Sequence, residues 1–168
     1  MKKLLLIFFL CSGQVIAQDA LLGVLPLNSG KVSYIQVHET IGVPKENLVE
    51  SAQEWLIDYE AININEKELD KKHQSVTGNL SFKTLWGPND FPELYKEVQF
   101  TLEVISKNER YQYSFYNFTV KEPGINTQLE IYKTEKNSYE KYNRDFYLRI
   151  DEEINKMITS LLEKMKET

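Results

Sequence analysis

Two neighbouring segments of the chain alternate between apolar and polar residues, which is the period of a half-buried β-strand. They cover residues 95–106 and 110–120, and the connection over residues 107–109 is short enough for a hairpin. The apolar positions of the first segment are Val98, Phe100, Leu102 and Val104. Phe118 and Val120 leave the phase of the second segment, which predicts a β-bulge or burial of both faces near its end.

Two other segments have a helical period. Residues 44–60 begin with Pro44, which fits the first turn of a helix, and their apolar residues recur at spacings of three and four. These residues are Leu48, Ala52, Trp55, Leu56 and Tyr59. From about Ser138 a second apolar stripe continues almost to the end of the chain, which predicts a long helix with one face on the sheet.

Three further segments complete the predicted sheet. Residues 32–39 are rich in β-branched and aromatic residues, and residues 69–77 and 79–86 predict two strands joined near Gly78. The order β-α-β-β-β-β-α predicts an α+β fold, with an antiparallel sheet of about five strands and two helices on one face.

Residues 1–17 have the order of a secretory signal peptide, with two lysines, an apolar run over residues 4–10 and a small residue at Ala17. Cleavage is predicted between Ala17 and Gln18, which leaves residues 18–168 as a single domain. A membrane-spanning helix needs about 20 apolar residues, so we expect no stable membrane insertion after cleavage. The predicted location is the periplasm or the exterior of the cell.

Cys11 lies inside the apolar run and is the only cysteine in the sequence. A lipoprotein signal would place a small residue directly before that cysteine, whereas this chain has Phe9 and Leu10. We therefore interpret Cys11 as part of the signal peptide. The mature chain then has neither a disulfide nor a thiolate metal site.

The charge of the mature chain argues against a polyanionic partner. Removing Lys2 and Lys3 from the 20 basic residues leaves 18 against 25 acidic residues, so the net charge changes from −5 to −7. Such a surface repels nucleic-acid phosphates and anionic lipid. We expect no nucleic-acid partner.

Catalytic and metal-binding motifs are not apparent. The sequence has two histidines, His38 and His73, and neither has the spacing of a metal ligand or a catalytic partner. Glu97 and Glu103 would share one strand face, but about 20 Å apart, whereas glycosidase carboxylates lie about 5–10 Å apart. We predict no metal, no cofactor and no catalytic residue.

The candidate ligand-binding residues come from an aromatic loop and from the polar face of the sheet. Trp86 and Phe91 flank a loop that is rich in turn-forming residues, and a ring platform of this kind suits a glycan or a peptide. The alternative is that these rings cover the end of the core. The predicted set is Trp86, Phe91, Tyr95, Gln99, Thr101 and Tyr116.

The strands and the first helix carry a resemblance to a known family. The segments concerned are residues 30–37, the helix with Ala52 and Trp55, residues 76–78, and the hairpin over residues 98–113. They resemble a bacterial exported family catalogued as a domain of unknown function with a TATA-box-binding-protein-like (TBP-like) fold. The resemblance implies a curved antiparallel sheet with two helices on its convex side. It does not imply DNA binding, because a fold does not by itself carry a function.

These observations favour an exported, non-enzymatic binding or interaction module of the bacterial cell envelope, with a protein or glycan as its ligand. One alternative is a hydrolase that acts on an envelope polymer with carboxylates of the sheet. Another is a structural domain that self-associates through its long C-terminal helix. The apolar stripe of such a helix is more often part of the core, so we expect a monomer.

Overall fold

The computed structural model describes residues 23–59, 63–70, 74–87, 95–132 and 140–168. The predicted signal peptide lies outside these residues. In chain order the elements are β1 (Leu27–Asn28), β2 (Lys31–Val32), β3 (Tyr34–Glu39), α1 (Lys45–Asp58), β4 (Asn63–Asp70), β5 (Ser75–Leu85), β6 (Tyr95–Lys107), β7 (Arg110–Glu122), β8 (Ile125–Gln128), a 3-10 turn (Leu129–Ile131) and α2 (Glu140–Lys166).

The predicted hairpin forms the centre of an antiparallel sheet. Its strands run in the order β3-β7-β6-β5-β4, and β8 pairs with the second half of β7. Strand β5 pairs with β6 over the full length of β5, from Ser75 opposite Ile105 to Leu85 opposite Tyr95. Strands β1 and β2 form a separate two-stranded sheet. The α+β class and the antiparallel sheet predicted from the sequence are confirmed.

The bulge predicted in β7 is confirmed. Gln99 lies opposite Thr119, but Thr101 lies opposite Tyr116, so β7 has one more residue than β6 in this interval. Asn117 takes up the difference with a positive φ of 57°. Asparagine tolerates this left-handed conformation better than most residues do. The bulge returns Phe118 and Val120 to the core.

Asn117 therefore provides a test of backbone strain without a change in packing, because its side chain is exposed. Asn117→Val is expected to lower the free energy of unfolding by about 1–2 kcal/mol, since a β-branched residue is strained at positive φ. Asn117→Gly should be neutral or slightly stabilising. Urea denaturation of both variants measures the difference. An equal effect of valine and glycine would contradict this account.

The turn predicted near Gly78 is wrong. Residues 75–85 form one continuous strand, and the strand before it covers residues 63–70. Gly78 lies in the middle of β5, where an added Cβ would be 3.0 Å from Cδ2 of Leu56. The glycine allows α1 to approach the sheet closely and does not mark a change of chain direction.

Both helices pack on the same face of the sheet, as predicted. Leu48, Ala52, Trp55 and Leu56 of α1 are buried, and the indole N–H of Trp55 donates to Oγ of Ser160 on α2 at 3.0 Å. The core strand residues face them. These include Val76, Leu80, Phe82, Val98, Phe100, Leu102, Val104, Tyr113, Phe115 and Val120. The opposite face of the sheet has no helix among the described residues.

Buried tyrosines link α2 to the rest of the core. The Tyr34 hydroxyl donates to Oδ1 of Asp151 at 2.8 Å, and the Tyr147 hydroxyl donates to the carbonyl of Tyr132 at 2.7 Å. Burial, followed by the Asp151 carboxylate, raises the pKa of Tyr34 well above its usual value. Burial also raises the pKa of Tyr147 and of Tyr111 to about 12. The folded state therefore holds these phenols in their neutral form.

This arrangement predicts a loss of stability at high pH. A tyrosine with a raised pKa contributes its full stabilisation below the pKa of the unfolded chain, about 10, and loses it as the pH rises towards the folded-state value. The free energy of unfolding should therefore fall between pH 10 and 12. Tyr147→Phe should be less stable at neutral pH but show a shallower fall. Denaturant unfolding across this pH interval tests both expectations, and parallel curves for the two proteins would contradict them.

Candidate functional site

The face of the sheet opposite the helices, here called the open face, is formed by the polar positions of the alternating strands. Because side chains alternate along a strand, residues 97, 99, 101 and 103 of β6 point away from the buried residues between them. Three of the predicted binding residues, Gln99, Thr101 and Tyr116, lie on this face in adjacent strands. Thr101 is directly opposite Tyr116 on β7 and Asn79 on β5.

Hydrogen bonds hold several of these side chains in place. Oγ1 of Thr101 donates to Oδ1 of Asn79 at 3.0 Å, which links β6 to β5. Nε2 of Gln99 donates to Oε1 of Glu97 at 3.0 Å along the same strand. Glu97, Gln99 and Thr101 have intermediate exposure, and Asn79 is exposed. The centre of the open face is therefore an ordered polar surface supported by the core beneath it.

Glu97 is an anionic group of this surface, as is Glu103. The hydrogen bond from Gln99 makes the largest contribution to a lowered pKa of Glu97, and Lys121 and Ser81 lower it further against the effect of burial. Nζ of Lys121 lies 3.5 Å from Oε2 of Glu97. A carboxyl that acts as a general acid needs a raised pKa. The surroundings of Glu97 instead favour a stable carboxylate that accepts hydrogen bonds.

Tyr95 lies on the open face but apart from the other predicted residues. It begins β6, and 53% of it is exposed. Thr101 is six residues further along the strand, which corresponds to about 20 Å. The structure therefore separates Tyr95 from the cluster of Gln99, Thr101 and Tyr116.

Trp86 is on the other side of the sheet. Only 9% of it is exposed, its indole N–H donates to Oδ1 of Asn143 at 3.0 Å, and its ring packs edge-on against Tyr142 of α2. Arg149 of α2 also donates to the carbonyl of Leu85, beside Trp86. Trp86 thus covers the end of the core, which was the alternative interpretation of the aromatic loop. Phe91 lies outside the described residues.

An apolar part of the open face was not predicted from the sequence. Ile35 and Val37 of β3 are 48% and 55% exposed, and they lie opposite Ser114 and Gln112 of β7. Their alternation with Tyr34 and Gln36 is visible in the sequence. The alternation did not show which of the two faces of β3 is exposed, because each face carries a large apolar residue.

Two clefts border these residues. A cleft of about 460 Å³ at the Ile35 end is lined by Lys31, Ser33, Ile35, Tyr116, Asn117, Phe118, Thr119, Gln128 and Glu130. A smaller cleft of about 290 Å³ at the Val37 end is lined by Val37, Ile105, Lys107, Arg110, Tyr111 and Gln112. Tyr116 therefore connects the polar cluster to the apolar residues of β3. The open face continues from β6 to the edge of the sheet.

His38 lies outside this site. Its ring stacks on Tyr111 and Tyr113 at centroid distances of 5.3 and 5.6 Å, and its Nε2 is buried without a hydrogen-bond partner. Burial, and secondarily the charge of Lys166, lowers its pKa. His73 is outside the described residues. Within the described part of the chain, no group of three or more His, Cys, Asp and Glu side chains is arranged to hold a metal ion.

Comparison with known proteins gives the fold. No protein-family model matches the chain, and no curated protein matches it in sequence. A crystal structure of a TBP-like protein from Parabacteroides distasonis aligns with a TM-score of 0.57 at 11% identity, over 83% of this chain and 97% of that chain. The fold is TBP-like. A DUF4468 family protein from Bacteroides ovatus is also similar, with a TM-score of 0.60 at 11% identity, over 86% of this chain and 93% of that one.

The TBP-like fold confirms the resemblance in fold that was found from the strands and the first helix. Two strands of this fold, β6 and β7, supply Gln99, Thr101 and Tyr116, and a third, β3, supplies Ile35 and Val37. In the described residues, neither helix is both long and apolar enough to cross a membrane.

Proposed function

We propose that this protein is an exported, non-enzymatic module of the bacterial cell envelope that binds a protein or glycan through its open face. The observation that carries the proposal is the patch in which Gln99, Thr101 and Tyr116 lie together on adjacent strands. The patch combines hydrogen-bonding groups with an aromatic ring, and it continues to the exposed Ile35 and Val37. Binding surfaces commonly combine apolar area with a few fixed polar groups.

The rigidity of the sheet supports a binding role. The residues beneath the patch, such as Phe100 and Phe115, are buried, and the helices cover their far side. Side chains that are fixed before binding lose less conformational entropy when a ligand arrives. The ionised state expected for Glu97 also suits a hydrogen-bond acceptor better than it suits the general acid of a hydrolase.

A photo-crosslinking experiment tests this proposal. The full chain, expressed with its leader in a bacterial host, would carry a photoreactive phenylalanine analogue in place of Thr101. The matched control carries it in place of Lys156, which is on the outer surface of α2 and half exposed. We expect a discrete crosslinked adduct from position 101 and none from position 156. Adducts of equal yield at both positions, or none at either, would contradict the proposal.

The same preparation tests export. Mass spectrometry of the protein recovered from the envelope or the medium should find Gln18 as the first residue. An intact Met1, or recovery of the chain with cytosolic proteins, would contradict this part of the proposal.

A further inference from the structure

The outer edge of β3 is a backbone edge at one end of the sheet. Strand β3 pairs with β7 on one side, and the sheet order ends there among the described residues. The amide of Thr40, just after β3, donates to the carbonyl of Glu109 next to β7 at 2.7 Å. Since successive strand residues alternate in direction, Gln36 and His38 also direct their backbone groups towards β7. The N–H and C=O groups of Ile35 and Val37 therefore point outward.

A second hydrogen bond agrees with this assignment. The amide of Ser33 donates to the carbonyl of Pro26 at 3.2 Å, outside the sheet. Ser33 is separated from Ile35 and Val37 by an even number of positions, so its backbone groups point to the same side of the strand. At the start of this edge, the outward amide of Ser33 thus has a partner in Pro26, just before β1. The backbone N–H and C=O groups of Ile35, Val37 and Glu39 point outward along the same edge.

The two ends of the sheet differ in how they discourage pairing with another chain. Edge strand β4 contains Glu66, Lys67 and Glu68 in succession and a register shift between Ile64 and Glu66. Charges and bulges of this kind protect an edge strand. Residues 34–39 contain neither lysine nor proline, and their pairing with β7 is regular. Apart from Glu39 at its end, β3 therefore lacks the charged residues and the register shift found in β4.

The charge beside β3 indicates the kind of segment that would fit. Among the described residues, Lys107 and Arg110 line the cleft next to Val37 together with apolar and polar residues and no carboxylate. Glu39 lies opposite Arg110 in the strand register, and the carboxylate of Glu109 accepts a hydrogen bond from the amide of Gly42. The positive charge is therefore confined to the cleft itself, where Lys107 and Arg110 lie. This is a local exception on an acidic chain, and it favours a carboxylate on the incoming strand.

We propose that β3 accepts an extended acidic segment of a partner protein as an additional strand. The backbone groups of Ile35 and Val37 would form hydrogen bonds with the segment. Apolar side chains of the segment would lie beside Ile35 and Val37 on the open face, and one of its carboxylates would lie near Lys107 and Arg110. Strand addition of this kind obtains affinity from backbone hydrogen bonds and specificity from alternate side chains. The inference rests on the proposed function, because the added strand would extend the open face beyond β3.

A selection from displayed random peptides, with the full mature chain as the target, tests the proposal. We expect enriched peptides to alternate apolar residues and to contain Asp or Glu. A synthetic copy of an enriched peptide would then be titrated by fluorescence anisotropy. Val37→Pro removes an outward N–H but no donor of the β3–β7 ladder, so it should weaken binding about tenfold, the value of roughly one hydrogen bond.

The matched control is Val37→Thr, which keeps the N–H and the branched shape and should change the dissociation constant less than about twofold. Arg110→Glu should weaken binding at least about fivefold, through charge. Circular dichroism and thermal unfolding report whether each variant folds. If Val37→Pro does not fold, Val37→Lys serves instead, because an edge lysine opposes strand addition.

Three results would overturn the inference. They are the absence of any enriched peptide, equal binding to Val37→Pro and wild type, and a concentration-dependent dimer of the wild type that Val37→Pro abolishes, which would assign the edge to a second copy of the chain. The photo-crosslink from position 101 separates this failure from failure of the proposed function. An adduct that persists in Val37→Pro would leave the open face as a binding surface while excluding β3 as its strand acceptor.

Discussion

Replacing Phe100 by alanine is expected to lower the free energy of unfolding by about 3–5 kcal/mol, which is the usual cost of removing a buried aromatic ring. Phe100 is 3% exposed, and its ring centroid lies 5.5 Å from that of Phe118 and 5.9 Å from those of Phe82 and Phe115. The substitution therefore opens a cavity among three strands. Urea denaturation monitored by circular dichroism measures the loss.

The neighbouring residue provides the control. Thr101→Ala alters the open face one position along the same strand, and it should change stability by no more than about 0.5–1 kcal/mol. A loss below about 1 kcal/mol for Phe100→Ala, or an equal loss for both variants, would contradict the packing described for β6.

Trp86→Ala should have the second large effect, a loss of about 3 kcal/mol, because the indole is buried against α2 and hydrogen-bonded to Asn143. The exposed Tyr95 is the matched aromatic control, and Tyr95→Ala should remain within about 0.5 kcal/mol of wild type. A ligand platform at Trp86 would predict the reverse pattern, with stability retained and binding lost. Thermal and denaturant unfolding of the two variants distinguish these interpretations.

The sequence predicted those parts of the fold that depend on residue period. The hairpin of β6 and β7 and the two helices follow from regular alternation over many residues, and the β7 bulge follows from the change of phase at Phe118. Gly78 was misinterpreted because a glycine that permits close packing and a glycine in a turn have the same local pattern. Only the position of Leu56 in the folded chain distinguishes the two.

The candidate site was predictable where it follows the same alternation. Gln99 and Thr101 were predicted on the polar face because each lies at a polar position of a long strand, and the structure places Tyr116 beside them on β7. The burial of Trp86 could not be predicted in this way, because it depends on contact with α2, which begins more than fifty residues later in the chain. Short elements such as β8 (Ile125–Gln128) form through pairing with β7 and leave little signal in their own residues.

The connectivity of the sheet has a consequence for the order in which it forms. Residues 86–94 connect β5 to β6 and residues 108–109 connect β6 to β7, whereas β3 pairs with a strand much further along the chain, for example Tyr34 with Phe115. Closing so long a loop costs more chain entropy than closing a hairpin, so we expect the meander to fold first and β3 to be added last. In native-state hydrogen exchange the amide of Gln36 should then exchange faster than that of Leu102, and the reverse order would contradict this sequence of events.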